Sequence, residues 1–375
     1  MTEIYLIRHA QAEGNRYRMM QGHWDGDLTA LGYRQIEELA RRFQREPVDL
    51  VYSSDLFRAR MTADAAARWG QLPVHLDPAL REINIGPWET LFFGNVLHDE
   101  YDSAMDFMYR AETWSHPGAE TYDQVRRRAA ACMQKAAEAN PGKRIAFFSH
   151  GITVRCMMSA VTGISLDDTA KLPICRNTSV SKLIYDKGAF TPVYYNDDSH
   201  LSEGCRTRWS PTGDLRHEIL DPGLDEDYYC ACYADAWRAA HGDLEGFVAD
   251  SYLAAAKRHH EHCPGAVLRI LREGESVGLI DLDPDRGAHF GCAWVSLLYL
   301  REDFRNQGYG VQLLGRVYEF CRKQGRRAVR LNVAEGNAMA LAFYRREGFR
   351  ELSRERRSRG DLLLMEKKLG GQRHG

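Results

Sequence analysis

Apolar residues recur along the first half of this chain in two rhythms. Short continuous runs at residues 4–7, 48–52 and 144–148 have strand length, and each is followed by polar turn residues. Between the first two, Leu31, Ile36, Leu39, Ala40 and Phe43 share one face of a helix that opens at Leu28 and stops at Pro47. Residues 56–69 and 122–139 repeat the helical period, and Ser53-Ser54-Asp55 is the expected cap of the former. A short strand at 73–76, an irregular segment at 80–86 and a closing hairpin at 177–195 complete this half.

Strand, polar turn and helix thus follow one another three times. This order predicts an α/β fold with a doubly wound, mostly parallel sheet, whose ligands bind at the carboxyl ends of the strands. Arg8 and His9 stand at the first such end, Arg58 in the first turn of the second helix, and His150 within Ser149-His150-Gly151. An isolated Arg-His pair is better read as a surface ion pair beside a satisfied loop histidine. Arg8, His9, Arg58 and His150 brought to one sheet edge read instead as an anion pocket.

Composition narrows the partners. At 375 residues the chain is long enough for two domains. A net charge of −2 provides no global field for nucleic acid or an anionic membrane. No apolar run approaches bilayer length, and no signal-peptide pattern precedes the first strand. The nine cysteines follow no framework and read as reduced thiols of a cytoplasmic protein.

The polar turns carry a resemblance. Arg8-His9 with Asn15, Asp27-Leu28-Thr29 with Gly32 and Gln35, and Ser53-Ser54-Asp55-Leu56 with Arg58-Ala59 come first. Leu80 and Glu82 with Gly86 and Trp88-Glu89, Pro117-Gly118 with Glu120, and Ser149-His150-Gly151 follow. In this order they resemble the histidine phosphatase superfamily, with its phosphoglycerate-mutase-like fold, over residues 1–203. The resemblance implies that His9 is the nucleophile and forms a phosphohistidine. It further implies that Arg8, Arg58 and His150 hold the phosphoryl group, that Glu82 protonates the leaving oxygen, and that Asn15, Gln21, Gly22 and Gly151 contact substrate. The chemistry is coherent: guanidinium forks match phosphate oxygens, and their charge favours a neutral, nucleophilic imidazole. No metal is expected, because the arginines neutralise the developing charge. Ala10 and Thr90 stand where the family often has glycine.

Phosphatases and mutases share these residues. A mutase must retain a bisphosphorylated, strongly anionic intermediate, which calls for extra cations near its lid. From Trp88 to His116 the chain has seven Phe, Tyr and Trp residues but only Arg110 as a cation, and Ile-Asn-Ile-Gly follows Glu82. Some of these aromatics are expected to pack the lid and a few to face the substrate. This predicts hydrolysis of a small-molecule phosphomonoester, with a phosphoglycerate-type mutase as the alternative.

The second half has a different order. Helical periods at 228–240 and 244–259 lead to strands at 267–271 and 276–282, separated by Arg272-Glu273-Gly274-Glu275, and to a buried strand at 293–300. Arg305-Asn306-Gln307-Gly308-Tyr309-Gly310 then opens a helix at 311–323, where glycines let backbone N–H groups close on a phosphate. A strand at 328–333 precedes Asn337, Tyr344 and Gly348-Phe349. This order resembles the GNAT N-acetyltransferase superfamily over residues 216–369, most strongly over 297–349. The resemblance implies a mixed α/β fold, acetyl-CoA as co-substrate and an amine as acceptor. By it, Leu298, Tyr299 and Leu300 form the strand that meets the thioester, Arg305 to Gly310 hold the pyrophosphate, and Asn337 belongs to the second CoA motif. Tyr344 would protonate the departing thiolate. The acceptor's general base stays open among Glu273, Asp281, Asp283 and a water chain.

Two further stretches invite a reading. His259-His260-Glu261-His262-Cys263 looks like a metal tract, but neighbours on one helix end do not all converge, so no metal is expected there. The basic run 350–359 reads as a solvated strand and hairpin tip. The expected organisation is a phosphatase domain at 1–203, a linker at 204–215, an acetyltransferase domain at 216–369 and a tail at 370–375. The expected function is a bifunctional cytoplasmic enzyme. Its rival is an acetyltransferase fold that serves only as an acyl-CoA-binding regulatory module.

Overall fold

The computed structural model describes residues 1–207, 213–357 and 360–370. The chain divides into two compact units, and the division falls within 208–212.

The first unit runs β1 (Thr2–Arg8), α1 (Glu13–Tyr17), α2 (Ala30–Arg45), β2 (Leu50–Ser53), α3 (Phe57–Gly70) and β3 (Val74–Leu76). It continues through α4 (Phe93–Asp99), α5 (Tyr101–Tyr109), α6 (Tyr122–Ala139), β4 (Arg144–Ser149) and α7 (Gly151–Thr162), and closes with β5 (Val180–Asp186) and β6 (Ala189–Asp197). The sheet order is β3-β2-β4-β1-β5-β6, parallel from β3 to β1 and antiparallel through β5 and β6. The expected doubly wound, mostly parallel sheet is therefore present. Ile7, Val51, Ala146 and Phe148 contribute to one apolar core with α2 and α3, while Ile4, Leu6, Ile145 and Phe147 contribute to another with α6 and α7. Alternating side chains of continuous apolar strands thus fill both faces.

Parallel register gathers the site. Arg8 pairs with Ser149 and Ser53 with Phe148, so β1, β2 and β4 end at one level. The crossing bonds His9 N–H to Ser149 O (2.9 Å) and Ser54 N–H to Phe148 O (2.9 Å) extend that level into the turns. Gly32 is required where α2 begins, because a Cβ there would lie 2.2 Å from the Gln11 carbonyl oxygen.

The cap of α3 differs from expectation. Ser53-Ser54-Asp55 does not supply it; both carboxylate oxygens of Asp25 lie 2.8 Å from the Phe57 nitrogen. Asp55 is engaged instead with the Arg81 guanidinium.

The second unit runs β7 (Arg216–Ile219), α8 (Glu226–His241), α9 (Ala249–His262), β8 (Val267–Arg272), β9 (Glu275–Asp283) and β10 (Cys292–Leu300). Then follow α10 (Gly310–Lys323), β11 (Ala328–Ala334), α11 (Ala338–Arg346), β12 (Arg350–Glu355) and β13 (Leu362–Lys368). The sheet order is β12-β13-β11-β10-β9-β8-β7, with β10 and β11 parallel and the other neighbours antiparallel. β10 pairs with β11 only from Cys292–Ala328 to Val295–Leu331, and its register with β9 shifts between Val295 and Leu297. Beyond that irregularity the two parallel strands are no longer paired.

Helix α9 starts five residues later than its apolar period suggests. Gly242 and Gly246 take positive φ (88° and 74°), conformations that a helix cannot continue through. Of the stretch read as linker, Gln35 holds Cys205 O and Thr207 to the first unit, while Gln312 holds Leu215 N–H to the second. Residues 208–212 lie outside the described residues, as do 358–359 of the basic run and 371–375 of the tail. Residues Arg350–Glu355 of that run form β12, exposed throughout.

Candidate active site

His9 is buried in the turn after β1. Its Nδ1 lies 2.7 Å from the Ala10 carbonyl, which can only accept, so Nδ1 carries the proton and Nε2 keeps a lone pair. Burial, then the Arg58 and Arg8 charges, hold its pKa well below the usual histidine range. His150, fully buried, bonds Ser54 Oγ through Nε2 at 2.9 Å and is depressed for the same reasons. Both rings are neutral at neutral pH, and their centroids are 5.2 Å apart.

The arginines are anchored by backbone carbonyls. Arg8 Nη1 donates to Cys175 O. Arg58 donates to Trp24 O (3.0 Å) and Gly22 O (2.7 Å), and burial lowers its pKa to about 10. Arg8 Nε, Arg58 Nε, His150 Nδ1 and both atoms of the Gln21 amide are buried without a partner. Such atoms cost on the order of 1–3 kcal/mol each when left unpaired, and an anionic ligand would satisfy the donors among them.

Glu82 sits against the start of α7. Oε1 accepts from Thr153 N–H and Thr153 Oγ (3.0 Å each), and Oε2 accepts from Ile152 N–H (3.2 Å). A Cβ on Gly151 would stand 3.5 Å from Arg8 Nε and 3.8 Å from Glu82 Oε2, so this glycine adjoins acid and cation together. Arg128 on α6 grips the backbone around the acid, donating to Ala79 O, Arg81 O and Glu82 O, while Glu120 pairs with the same guanidinium. Asn15 Oδ1 accepts from Ala12 N–H and from Asn177 Nδ2, and Asn177 also holds His9 O. Glu89 accepts from the N–H groups of Gly22, His23 and Trp24, and thereby shapes the loop on which Arg58 rests.

Most lid aromatics that could have faced a substrate serve packing. Trp88, Phe92 and Trp114 are buried, with Phe107 edge-on to Trp114 at 4.9 Å. Tyr101 and Tyr109 are exposed, and Arg110 pairs with Asp106.

In the second unit, a cavity of about 310 Å³ is lined by Leu298, Tyr299, Leu300, Arg305, Asn306, Gly308, Gly310, Asn337 and Tyr344. Gln307 and Tyr309 do not line it; Gln307 Nε2 donates to Asp303 O, and Tyr309 is buried near Arg272 and Phe304. Arg305 is spent on Leu300 O (2.7 Å) and Asp235 (2.9 Å), so it shapes the loop. A Cβ on Gly310 would meet Phe343 at 3.1 Å, and Gly308 has φ +88°. Gly310 is thus fixed by the Phe343 ring packed on it and Gly308 by its left-handed backbone, and both line the cavity. A larger cavity of about 860 Å³ shares Leu298, Asn337 and Tyr344 with the first and contains Asp281 and Asp283. Glu273, exposed at the β8–β9 turn, is outside it.

A family model for the histidine phosphatase superfamily, branch 1, matches residues 4–198. The chain belongs to this superfamily. A second model, for the GNAT acetyltransferase family, matches residues 226–349, so an acetyltransferase-type domain follows the first. Similar proteins include two named "Probable phosphoglycerate mutase GpmB". The Escherichia fergusonii protein is 30% identical over 227 residues and the Yersinia enterocolitica protein 30% over 228, each covering 60% of this chain and 99% of its own. The solved structure of Bacillus stearothermophilus YhfR superposes with a TM-score of 0.52 at 27% identity, over 53% of this chain and 99% of that one.

Within the histidine phosphatase fold, Arg8 ends β1, Arg58 and Gly151 lie in the first turns of α3 and α7, Asn15 lies in α1, and His9, Gln21, Gly22, Glu82 and His150 lie in the loops beside them. Sequence reasoning missed Asp25, Arg128, Thr153 and Asn177. Glu120 was the signal for Arg128, since a carboxylate in a motif implies a cation near it. Asn177 lay in a polar cluster read only as a lead-in to the hairpin. In the histidine tract, side chains diverge: His259 meets Asp281, His262 meets Asp285 and His260 lies 3.9 Å from Asp221. Among the described residues, no three His, Cys, Asp or Glu side chains converge as metal ligands, and no helix is long and apolar enough to cross a membrane.

Proposed function

We propose that this chain is a bifunctional enzyme, hydrolysing a phosphomonoester in its first unit and transferring acetyl from acetyl-CoA to an amine in its second. The observation that carries the first activity is His9, buried and neutral, with Nδ1 tied to Ala10 O and Nε2 left as nucleophile beside Arg8 and Arg58. His9 Nε2 attacks phosphorus in line, and Arg8, Arg58 and His150 Nδ1 steady the oxygens. Glu82 gives a proton to the leaving oxygen, then takes one from the water that cleaves the phosphohistidine.

Hydrolysis is favoured over isomerisation by the lid, whose one Lys or Arg, Arg110, is exposed and paired with Asp106. No other Lys or Arg belongs to the lid to compensate a second phosphate. In the second unit, Asn306, Gly308, Gly310 and Asn337 would hold acetyl-CoA, the acetyl donor, along β10. Tyr344, kept protonated by burial, supports its role as acid. The cysteines are all free, consistent with a cytoplasmic protein.

The test supplies 3-phosphoglycerate with a trace of the bisphosphate, and separately a panel of monophosphates, and follows 2-phosphoglycerate against free phosphate. Phosphate release should dominate; faster isomerisation identifies a mutase. Calorimetry should detect acetyl-CoA binding at micromolar Kd or tighter, about 8 kcal/mol. Binding without acetyl turnover across an amine panel would instead mark a sensor module.

A further inference from the structure

The larger cavity of the second unit contains a hydrogen-bonded chain, two of whose members, Tyr229 and His259, the acetyltransferase reading leaves unused. Tyr229 Oη donates to Asp281 Oδ2 at 2.7 Å, and His259 Nδ1 lies 2.7 Å from Asp281 Oδ1. A carboxylate accepts, so Nδ1 carries the proton and Nε2 can hold a lone pair. Asp281 is 1% exposed and His259 7%, so the hydrogen bond between them is buried. His259 Nε2 lies 3.4 Å from Asp283 Oδ2, beyond an ordinary hydrogen bond. Tyr229, His259, Asp281, Asp283 and Tyr344 all line this cavity.

The groups around His259 are mixed. From β9 come Asp281 and Asp283, from α8 the neutral Tyr229, and from α9 itself Arg258. Arg286, after β9, lines the same cavity with its guanidinium 3.6 Å over the Trp294 ring. Burial alone would depress the imidazole, but the Asp281 bond and the two carboxylate charges outweigh it and raise its pKa. The stacked rings of Tyr233 and Tyr252, 4.1 Å apart, line the same cavity, a surface that accepts an organic cation.

Resting on the acetyltransferase reading, the geometry points to His259 as the general base for a primary-amine acceptor, with Asp281 as its positioning residue. The acceptor enters as an ammonium near Asp283. His259 Nε2 takes one of its protons and later passes it to solvent. The amine nitrogen then bonds to the acetyl carbon as the carbon–sulfur bond breaks. Tyr344 Oη gives its proton to the departing sulfur and regains one from the amide nitrogen. The net release is one proton, and no oxidant or reductant is needed. His259 thus has a use that its place in a histidine-rich tract disguised.

The test uses the full chain, acetyl-CoA and 2-phenylethylamine as the probe acceptor, following thiol release from about pH 5.5 to 9, a range spanning the histidine titration. Acetyl-CoA binding is measured by calorimetry on the same proteins. Wild-type turnover should rise with pH along a limb set by His259. His259→Gln should lower turnover by about 100-fold and abolish that limb while acetyl-CoA affinity is kept. Asp281→Asn should shift the limb to lower pH, which a merely structural carboxylate would not do. Should His259→Gln lose acetyl-CoA affinity through misfolding, the limb in Asp281→Asn decides. A limb unmoved in both variants, or a wild type that binds acetyl-CoA yet releases no thiol, overturns the proposal. Failure of the wild type to bind acetyl-CoA overturns the acetyltransferase reading instead.

Discussion

His9 and His150 face each other with ring centroids 5.2 Å apart and planes inclined at 55°, and each has one ring nitrogen already committed. His9 gives Nδ1–H to Ala10 O, and His150 Nε2 is bonded to Ser54 Oγ. Beside Arg8 and Arg58, a third or fourth buried cation would be costly, so both rings stay neutral. Neutrality serves them differently: His9 can attack through Nε2, whereas His150 can donate through Nδ1 to the phosphoryl oxygen it would meet.

Replacing His9 by alanine should therefore abolish phosphomonoester hydrolysis, by more than about 10³-fold, because the nucleophile is removed and the backbone bonds of the turn are not. Circular dichroism should be unchanged, and no acid-labile phosphoprotein should be trapped. Near wild-type turnover would mean that the phosphoryl group never resides on His9.

Glu82→Gln separates proton donation from binding. The amide keeps a carbonyl to accept from Thr153 but cannot give and take a proton. Alkyl phosphates, whose leaving oxygen needs that proton, should slow by about 10²-fold or more. p-Nitrophenyl phosphate, with its stable leaving phenolate, should be affected much less. Equal losses on both would assign Glu82 a structural task.

Thr90 takes φ +69°, in the left-handed region that a β-branched residue reaches only at a cost. Glycine is expected there, and Thr90→Gly should raise stability by up to about 1 kcal/mol, after the extra chain entropy of glycine is counted. Gly86, at φ +56°, shows the opposite case, since a Cβ would come within 2.9 Å of the Gly118 backbone. Gly86→Ala should destabilise the same region. Thermal unfolding of both variants decides; a lower Tm for Thr90→Gly would show that the strain is relieved in solution.

Acid should weaken the second unit through His217. This histidine is 5% exposed, and burial lowers its pKa from 6.5 to about 3. A depressed pKa means that the unfolded chain takes up the proton first, so stability is fully present above pH 6.5 and falls as pH drops towards 3. Between pH 6.5 and 5 the loss should be on the order of 2 kcal/mol. His217→Gln should remove most of that slope in urea unfolding monitored at several pH values. A slope retained in full would place the acid sensitivity in other groups.

Much of this protein was readable from local order. Residues 4–7 and 145–148 announced buried strands because both sheet faces are covered, and the helix at 122–139 was legible to its end residues from its period. The placing of Arg8, His9, Arg58 and His150 near one sheet edge was legible because strand, turn and helix alternate, whereas Glu82 was reached only through the family resemblance. Gly308 and Gly310 marked the junction of strand and helix in the sequence, and both line the smaller cavity. What the tertiary structure decided was which polar group meets which. Asp25 caps α3 from 32 residues away, Arg128 reaches the Glu82 carbonyl from α6, and Asn177 ties His9 to Asn15 from the segment before β5. Tertiary packing also sent Trp88, Phe92 and Trp114 into the lid's interior and paired His259 with Asp281 across 22 residues. Hydrophobic period records which face of an element is buried, and that is a local property. A buried donor must instead find its acceptor through space, and that pairing exists only once distant segments have packed.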